Sequence, residues 1–269
     1  MRRPAVLVIA GSDSSGGAGL ARDLRTLADF GADALCVVTA VTAQSDRRVL
    51  AVHHVPPALI RAQLEAALET QGPSAVKLGM LGTRATVEVV ADGLRAHEAV
   101  PWVLDPVMVA SSGGALLDAE GRAAMKERLL PRATLVTPNI PEAAALLDEG
   151  PAASEASSAD DARATDGGRD ADEATLTAWA RRILALGPRA VLLKGGHARG
   201  GEAVDWLVSR DRSPERIASP RIEAVQRGTG CALASAIAAQ LASGLPLDEA
   251  CRRAKTYVVD LLRAAARDG

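Results

Sequence analysis

Short apolar runs alternate with amphipathic segments along most of the chain, and this alternation constrains the fold more than any other feature. Each apolar run has the length and the valine, leucine and alanine content of a strand buried on both faces. The segments between them carry apolar residues at helical spacing, as Leu20, Leu24 and Leu27 do. The predicted strands cover residues 5–10, 35–41, 75–78, 102–104, 135–137 and 190–194.

Repeated β–α units of this kind predict an α/β fold with a central, mostly parallel sheet and helices on both faces. The chain is predicted to close with two long helices, over about 230–243 and 247–267. Its 269 residues suit a single domain over 1–269. One stretch, at about 149–173, breaks the rhythm, because it has no apolar period and carries eight acidic residues against two basic ones. We expect a mobile surface insertion there.

Composition narrows the function classes. The formal net charge is −2 and no basic stripe is present, so we expect no nucleic-acid partner. The apolar run at 5–10 is too short to span a membrane and has no cleavage pattern behind it, so we expect no membrane association. Three cysteines with no metal-binding spacing indicate a reducing, cytoplasmic location, and Cys36 and Cys251 are expected in the core.

Glycine-rich and polar residues follow the predicted strands, where ligands bind in doubly wound sheets. The loop 11–19 holds four glycines together with Asp13. It has neither the glycine spacing of a dinucleotide-binding loop nor the lysine of a Walker A loop. Alone, it therefore predicts only that the backbone turns sharply or that another group approaches it closely. Asp13 is a candidate substrate-binding residue, and it is equally consistent with a loop or helix-capping carboxylate. Met80, between Gly79 and Gly82, is either a gap-filling core residue or the wall of a ring-binding pocket.

Gly228, Thr229, Gly230 and Cys231 directly precede an alanine-rich helix. Backbone N–H groups at such a helix start converge, and the helix dipole favours negative charge there. The segment therefore predicts an anion hole suited to a transferred phosphoryl group. In the first turn, Cys231 is predicted to have a lowered pKa and to accept a proton from an alcohol. The alternative is a small buried residue near a helix start.

Three charged residues also stand at strand ends. Asp105 and Glu142 are candidates for holding Mg²⁺, which prefers few carboxylates together with water and phosphate. Lys194 is a candidate for neutralising nucleotide phosphate. Each of them is equally consistent with an ordinary structural charge.

Taken together, these segments resemble the hydroxymethylpyrimidine/phosphomethylpyrimidine kinases of thiamine biosynthesis, which have the ribokinase-like fold. The resemblance runs in order over nearly the whole chain. It rests on the segments 10–19, 77–81, 104–108, 137–143, 193–197 and 228–231.

The resemblance implies ATP-dependent, Mg²⁺-dependent phosphorylation of a hydroxymethylpyrimidine and then of its monophosphate, in a homodimer. It implies that Gln44 binds the aminopyrimidine edge and that Gly11, Met80 and Val107 line the pyrimidine pocket. Asn139 and Lys194 would lie along ATP. By position, Cys231 would stand where most ribokinase-like enzymes carry an aspartate base.

Three departures from the family pattern are visible. In the first helix, residues 20–24 read Leu-Ala-Arg-Asp-Leu, where the family commonly has Ile-Gln-Ala-Asp-Leu. Arg227 stands where the family usually has histidine, and it is expected either to contact phosphate or to face solvent. The acidic insertion is longer than is usual in the family. Two rival functions stay open, a pyridoxal-type kinase of the same fold and a catalytically silent pyrimidine-binding protein.

Overall fold

The computed structural model describes residues 3–110, 114–149, 172–195, 201–224 and 226–268. Nine strands form one sheet in these ranges, and six of them, β2, β1, β4, β5, β6 and β7, run parallel in that spatial order. The strands are β1 (Ala5–Asp13), β2 (Asp33–Gln44), β3 (Val49–His54), β4 (Ala75–Leu78), β5 (Trp102–Leu104), β6 (Leu135–Val136), β7 (Ala190–Lys194), β8 (Glu202–Ser209) and β9 (Glu215–Pro220).

Three antiparallel strands flank the parallel centre. β3 pairs with β2 at one edge, and β8 and β9 extend the other edge beyond β7. All parallel strands end on the same side of the sheet, so the loops that follow them share one rim.

Eight α-helices cover the two faces of the sheet in the described ranges. They are α1 (Gly19–Asp29), α2 (Pro57–Thr70), α3 (Arg84–Gly93), α4 (Ala119–Arg128), α5 (Ile140–Leu146), α6 (Glu173–Ala185), α7 (Thr229–Ala242) and α8 (Leu247–Asp268). Two short 3₁₀ turns lie at Arg95–His97 and Leu130–Arg132.

Each face of the sheet has its own apolar core, because successive strand side chains point to opposite sides. Leu7 and Ile9 of β1 pack with α2 to α6, and Val6 and Val8 pack with α1, α7 and α8. The predicted α/β fold with helices on both faces is therefore confirmed.

The six predicted strands are all present, and β1 and β2 run three residues further than predicted. The antiparallel strands β3, β8 and β9 and the helices α4 and α5 were not predicted. β3 is a largely exposed edge strand, and its apolar run at 49–52 was not recognised as a strand. The prediction for α1 was also partly wrong, because Leu24 is exposed while Asp23 and Thr26 are buried beside Leu27.

Two further predictions concern the cysteines and the membrane. Cys251 is buried as expected, but Cys36 is only half-buried on β2. No described helix is both long enough and apolar enough to cross a bilayer. Most of the acidic insertion and the segment 196–200, with His197, lie outside the described residues.

Candidate active site

The loop between β1 and α1 is organised by the carboxylate of Asp13. One oxygen, Oδ1, accepts hydrogen bonds from the backbone N–H and the hydroxyl of Ser15, both at 2.9 Å. The other, Oδ2, accepts from the backbone N–H of Ala18, also at 2.9 Å. Asp13 is buried, and its oxygens face the loop itself, which matches the structural alternative for this residue. Its predicted contact with substrate stays a prediction.

Arg227 reaches the same loop from the other side. Its Nη2 donates to Oδ2 of Asp13 at 3.1 Å, and its Nη1 donates to Ser15 Oγ at 2.6 Å and to Asp46 Oδ1 at 3.1 Å. The guanidinium is mostly buried, so the expectation that it faces solvent is wrong. It ties the β1–α1 loop to the turn between β2 and β3.

Helix α7 begins where two glycine segments touch. Gly228 is the residue before its first turn and has a φ of 73°, a left-handed conformation that favours glycine. A Cβ at Gly228 would collide with the carbonyl oxygen of Gly17. The glycines of the two loops therefore let the start of α7 lie directly against the loop that follows β1.

The thiol of Cys231 lies in the first turn of α7 and is partly buried. Burial raises its pKa to about 11, although the charge of Lys77 and a backbone hydrogen bond from Gly19 both oppose this shift. The predicted lowering of the Cys231 pKa is therefore wrong. Desolvation disfavours the thiolate more strongly than the nearby positive charge and the helix start favour it.

Lys194, at the end of β7, gathers two carboxylates. Its Nζ lies 2.9 Å from Asp105 Oδ1 and 3.8 Å from Glu142 Oε2. A Cβ added to Gly230 would lie 3.2 Å from the same Nζ and 3.7 Å from Asp105 Oδ2. The start of α7 and the charged strand ends thus meet at one place, as the sequence predicted.

The electrostatics of the two acids differ. Burial disfavours the charged form of Asp105, but Lys194 and Lys77 outweigh burial and lower its pKa, and Thr137 donates a hydrogen bond to Oδ1 at 3.0 Å. Burial also disfavours the charged form of Glu142. The charge of Lys194 opposes this effect less effectively than at Asp105, so the pKa of Glu142 rises to about 7. At neutral pH the cluster therefore holds one carboxylate that stays ionised and one that is close to its midpoint.

Glu142 is held in place by a reciprocal helix cap. The side chain of Asn139 accepts from the backbone N–H of Glu142, and Glu142 Oε2 accepts from the backbone N–H of Asn139, both at 2.8 Å. The backbone of Asn139 is also bridged to Lys194. This capping box keeps the Glu142 carboxylate at the start of α5 and near Lys194.

Residues predicted to line a ring-binding pocket lie beside the glycine loop. A Cβ at Gly11 would lie 2.7 Å from the sulfur of Met80, so Met80 covers the backbone there. Thr39 fixes Met80 by donating its hydroxyl to the Met80 carbonyl at 2.6 Å. Val107 is half-buried on the segment after β5. Gln44 ends β2, where its backbone exchanges hydrogen bonds with the Ser14 hydroxyl at 2.8 and 2.9 Å.

Three buried polar residues near the site were not singled out from the sequence. Lys77 forms an ion pair with Asp23 at 2.8 Å, and Ser235 donates to Asp23 at 2.7 Å. The signal that could have identified Lys77 was a charge inside an otherwise apolar strand, because a buried lysine needs a partner. Asp23 gave a similar signal, because it lies on the helix face of Leu20 and Leu27, whereas Ser235 gave none.

The comparison with protein families decides the relationship. The family described as phosphomethylpyrimidine kinase matches residues 13–269. The chain belongs to this family. The resemblance inferred from the sequence, and with it the prediction of a kinase, is thereby confirmed.

Curated relatives agree with the family assignment. A hydroxymethylpyrimidine/phosphomethylpyrimidine kinase from Rhizobium meliloti is 44% identical over 262 residues, which cover 97% of this chain and 91% of that protein. One from Synechococcus elongatus is 42% identical, over 98% of this chain and 93% of that protein. The thiamine biosynthesis bifunctional protein ThiED of Geobacter sulfurreducens is 43% identical, and the match covers 98% of this chain but only half of that longer protein.

Solved structures place the family within the ribokinase-like fold. A phosphomethylpyrimidine kinase from Clostridium difficile is 35% identical with a TM-score of 0.76, over 97% of this chain and all of that chain. A pyridoxal kinase from Staphylococcus aureus in complex with pyridoxal is 29% identical with a TM-score of 0.82, over 98% of this chain and 89% of that one. The predicted fold is therefore confirmed, and the pyridoxal kinases share it.

Proposed function

We propose that this kinase transfers the γ-phosphoryl group of ATP to the hydroxymethyl group of 4-amino-5-hydroxymethyl-2-methylpyrimidine and then to the resulting monophosphate. The proposal rests mainly on one observation, that Gly230 at the start of α7 lies next to the side chains of Lys194 and Asp105. A helix start with free N–H groups beside an ammonium suits the charge of a transferred PO₃ unit. The names of the relatives supply the acceptor.

The acceptor is proposed to lie between the β1–α1 loop and Met80. The close approach of Met80 to Gly11 gives the ring an apolar wall, and Val107 contributes from the segment after β5. Gln44 is proposed to bind the aminopyrimidine edge through its amide, and Asp13 keeps the loop in shape for the ring. With these assignments, the hydroxymethyl group is proposed to lie near the first turn of α7.

The nucleotide is proposed to extend over the ends of β6 and β7. Lys194 neutralises phosphate charge, while Asn139 holds the neighbouring segment through its cap and its bridge to Lys194. The N–H groups of Thr229 and Gly230 and the turn at Gly228 surround the transferred group. Positioning and charge stabilisation of this kind supply most of the rate enhancement in phosphoryl transfer.

Mg²⁺ fits the acidic pair at the end of β5 and the start of α5. Asp105 and Glu142 both approach the Nζ of Lys194, so two carboxylates face one small volume. Within the described ranges no cluster of three or more His, Cys, Asp or Glu side chains could hold a metal ion. Two carboxylates suit Mg²⁺ because it completes its coordination with phosphate oxygens and water. When bound, it would neutralise phosphate charge.

Cys231 is proposed to take the proton of the acceptor hydroxyl. The raised pKa makes the thiolate scarce in the free enzyme at neutral pH. A loose transition state needs little deprotonation of the incoming oxygen before it attacks, so a scarce base can still serve. The resulting Cys231 thiol then releases this proton to solvent before the second transfer.

A pyridoxal-type kinase is the second candidate, since pyridoxal kinases share the fold with a TM-score of up to 0.82. A coupled assay of ADP release with hydroxymethylpyrimidine, its monophosphate and pyridoxal separates the two. We expect the highest kcat/KM for the pyrimidine alcohol and measurable turnover of its monophosphate. A higher kcat/KM for pyridoxal would replace the proposal by the second candidate, and no ADP release with any acceptor would favour a silent binding protein.

The predictions about organisation and surroundings complete the proposal. We propose one kinase domain over residues 1–269, assembled as a homodimer in the cytoplasm and without a nucleic-acid partner. The net charge of −2 supports the absence of nucleic acid. Val41 and Leu50 expose more than half of their surface on β2 and β3, and these apolar side chains support a contact between two copies.

A further inference from the structure

A small polar cluster lies in the core beneath the first turn of α7. Lys77 Nζ and Asp23 Oδ2 are 2.8 Å apart, and Ser235 Oγ donates to Asp23 Oδ1 at 2.7 Å. All three residues are fully buried. Buried charges of this kind are costly, and apolar side chains of the same size are often as stable or more so. The roles proposed above do not account for this cluster.

Each member of the cluster lies just inside a segment of the site. Asp23 is on α1, about one helical turn beyond Gly19, and Ser235 is on α7, about one turn beyond Cys231. Lys77 is on β4, two residues before Gly79. The cluster therefore joins the three elements that carry the glycine loop, the pocket wall and the anion hole.

The ammonium of Lys77 reaches the backbone at the end of β4. A Cβ added to Gly79 would lie 2.7 Å from Lys77 Nζ and 3.3 Å from the Cβ of Ala10. A side chain at position 79 would therefore crowd both this ammonium and Ala10 of β1. Lys77 is thus packed against the floor of the proposed acceptor pocket.

We propose that Lys77 is a positioning residue for phosphoryl transfer. Anchored by Asp23 and Ser235, it fixes the first turn of α7 against the ends of β1 and β4 and supplies a positive charge behind the sulfur of Cys231. This rests on the proposed function for the role of Cys231, but the position of the charge does not depend on which alcohol is phosphorylated.

The surrounding charges support this role. Burial lowers the pKa of Lys77, but Asp23 outweighs burial, with further contributions from Cys231 and Asp105, so the pKa is raised and the side chain stays charged. In turn, Lys77 is the main charge that opposes the effect of burial on Cys231, while Asp23 and Asp105 act in the opposite sense. Outside the cluster, Lys194 is a second nearby cation, and it pairs with Asp105 at 2.9 Å.

The double variant Asp23→Asn/Lys77→Met tests the proposal, because it removes both charges and leaves no unpaired ion. It is made in a Cys36→Ala background, in which only Cys231 and the buried Cys251 remain. The rate of iodoacetamide alkylation of Cys231 is measured from pH 7 to 10, together with kcat and both KM values. Because Lys77 acts on Cys231 more strongly than Asp23 does, we expect a net slowing of alkylation by about threefold at each pH. We expect kcat to fall by at least about tenfold, with each KM within about twofold.

A matched control is the double variant Asp205→Asn/Lys255→Met in the same background. It removes another buried ion pair of the same length, 2.8 Å, on β8 and α8. We expect Cys231 to be alkylated there at the rate of the parent protein. Equal slowing in both variants would show that loss of any buried pair disturbs the thiol, and would overturn the proposal.

A milder variant, Ser235→Ala, keeps the ion pair and covers the case in which the double variant does not fold. We expect its kcat to fall by about threefold to tenfold and its alkylation to slow by up to about threefold. If the double variant folds and keeps the kcat and thiol reactivity of the parent protein, the proposal is overturned. If the double variant does not fold, the same result for Ser235→Ala overturns it. The alkylation rate needs no turnover, so it stays informative even if neither proposed alcohol proves to be a substrate.

Discussion

Arg227 pairs with Asp13 at 3.1 Å. Arg227 directly precedes Gly228, the N-cap of α7, and Asp13 is the last residue of β1. Asp13 in turn holds the backbone of the glycine loop through Ser15 and Ala18. The guanidinium therefore braces, from outside, the loop against which Gly228 turns. The family histidine at this position is smaller, so this chain has a brace with a longer reach.

Replacement of Arg227 by Ala is expected to loosen the glycine loop and leave the buried Asp13 without its ionic partner. We expect a loss of about 2 kcal/mol and a Tm lower by about 4 to 8 °C. The KM for the pyrimidine should rise about tenfold, with the KM for ATP within about twofold. Asp46→Asn is the control, since Asp46 is 84% exposed and its bond to Arg227 contributes little. Equal effects of the two variants would contradict the bracing role.

Replacement of Cys231 by Ala is expected to lower kcat by at least about a hundredfold with little change in Tm, as for loss of a general base. With a thiol pKa of about 11, the thiolate fraction of the wild type grows with pH throughout the neutral range. We therefore expect kcat to rise by up to about tenfold per pH unit from pH 7 to 10, and this rise to vanish in Cys231→Ala. A flat wild-type profile would mean that another group takes the proton.

The raised pKa of Glu142 predicts that the stability of the protein depends on pH. Its pKa is about 7 in the folded chain against 4.5 for an ordinary glutamate, so between these values the folded state keeps a proton that the unfolded state releases. The free energy of unfolding should therefore fall as pH rises from 4.5 to 7, by an amount on the order of 1 to 3 kcal/mol. Denaturation at pH 5 and pH 8 measures this difference. In Glu142→Gln it should be smaller, and parallel pH dependences of the two proteins would contradict the assignment.

Gly228 and Gly244 form a matched pair for testing the close approach at the start of α7. Both have a left-handed φ, of 73° and 84°, but a Cβ would collide with Gly17 only at Gly228 and meets open space at Gly244. We expect Gly244→Ala to cost about 1 kcal/mol of stability and to keep wild-type kcat. Gly228→Ala should cost more and lower kcat by at least about a hundredfold. Equal stability and kcat in the two variants would show that the contact is unimportant.

The sequence predicted the parallel centre of the fold because the evidence for it is local. Strands buried on both faces are continuous apolar runs, and 75–78, 102–104 and 190–194 were located without error. The site could also be located from the sequence, since glycines and charges at the ends of parallel strands must share one rim. Lys194 and Asp105 were expected together and lie 2.9 Å apart.

Other features depend on contacts between distant segments, and only the tertiary structure decided them. The pKa of Cys231 was predicted from its helix start, but how deeply its thiol is buried depends on how α7 packs against the glycine loop. The partners of Arg227 lie 181 to 214 residues away along the chain, and Asp23 meets Lys77 across 54 residues. A residue's neighbours in sequence fix its local conformation, but burial and charge pairing are set by the groups that the fold brings next to it.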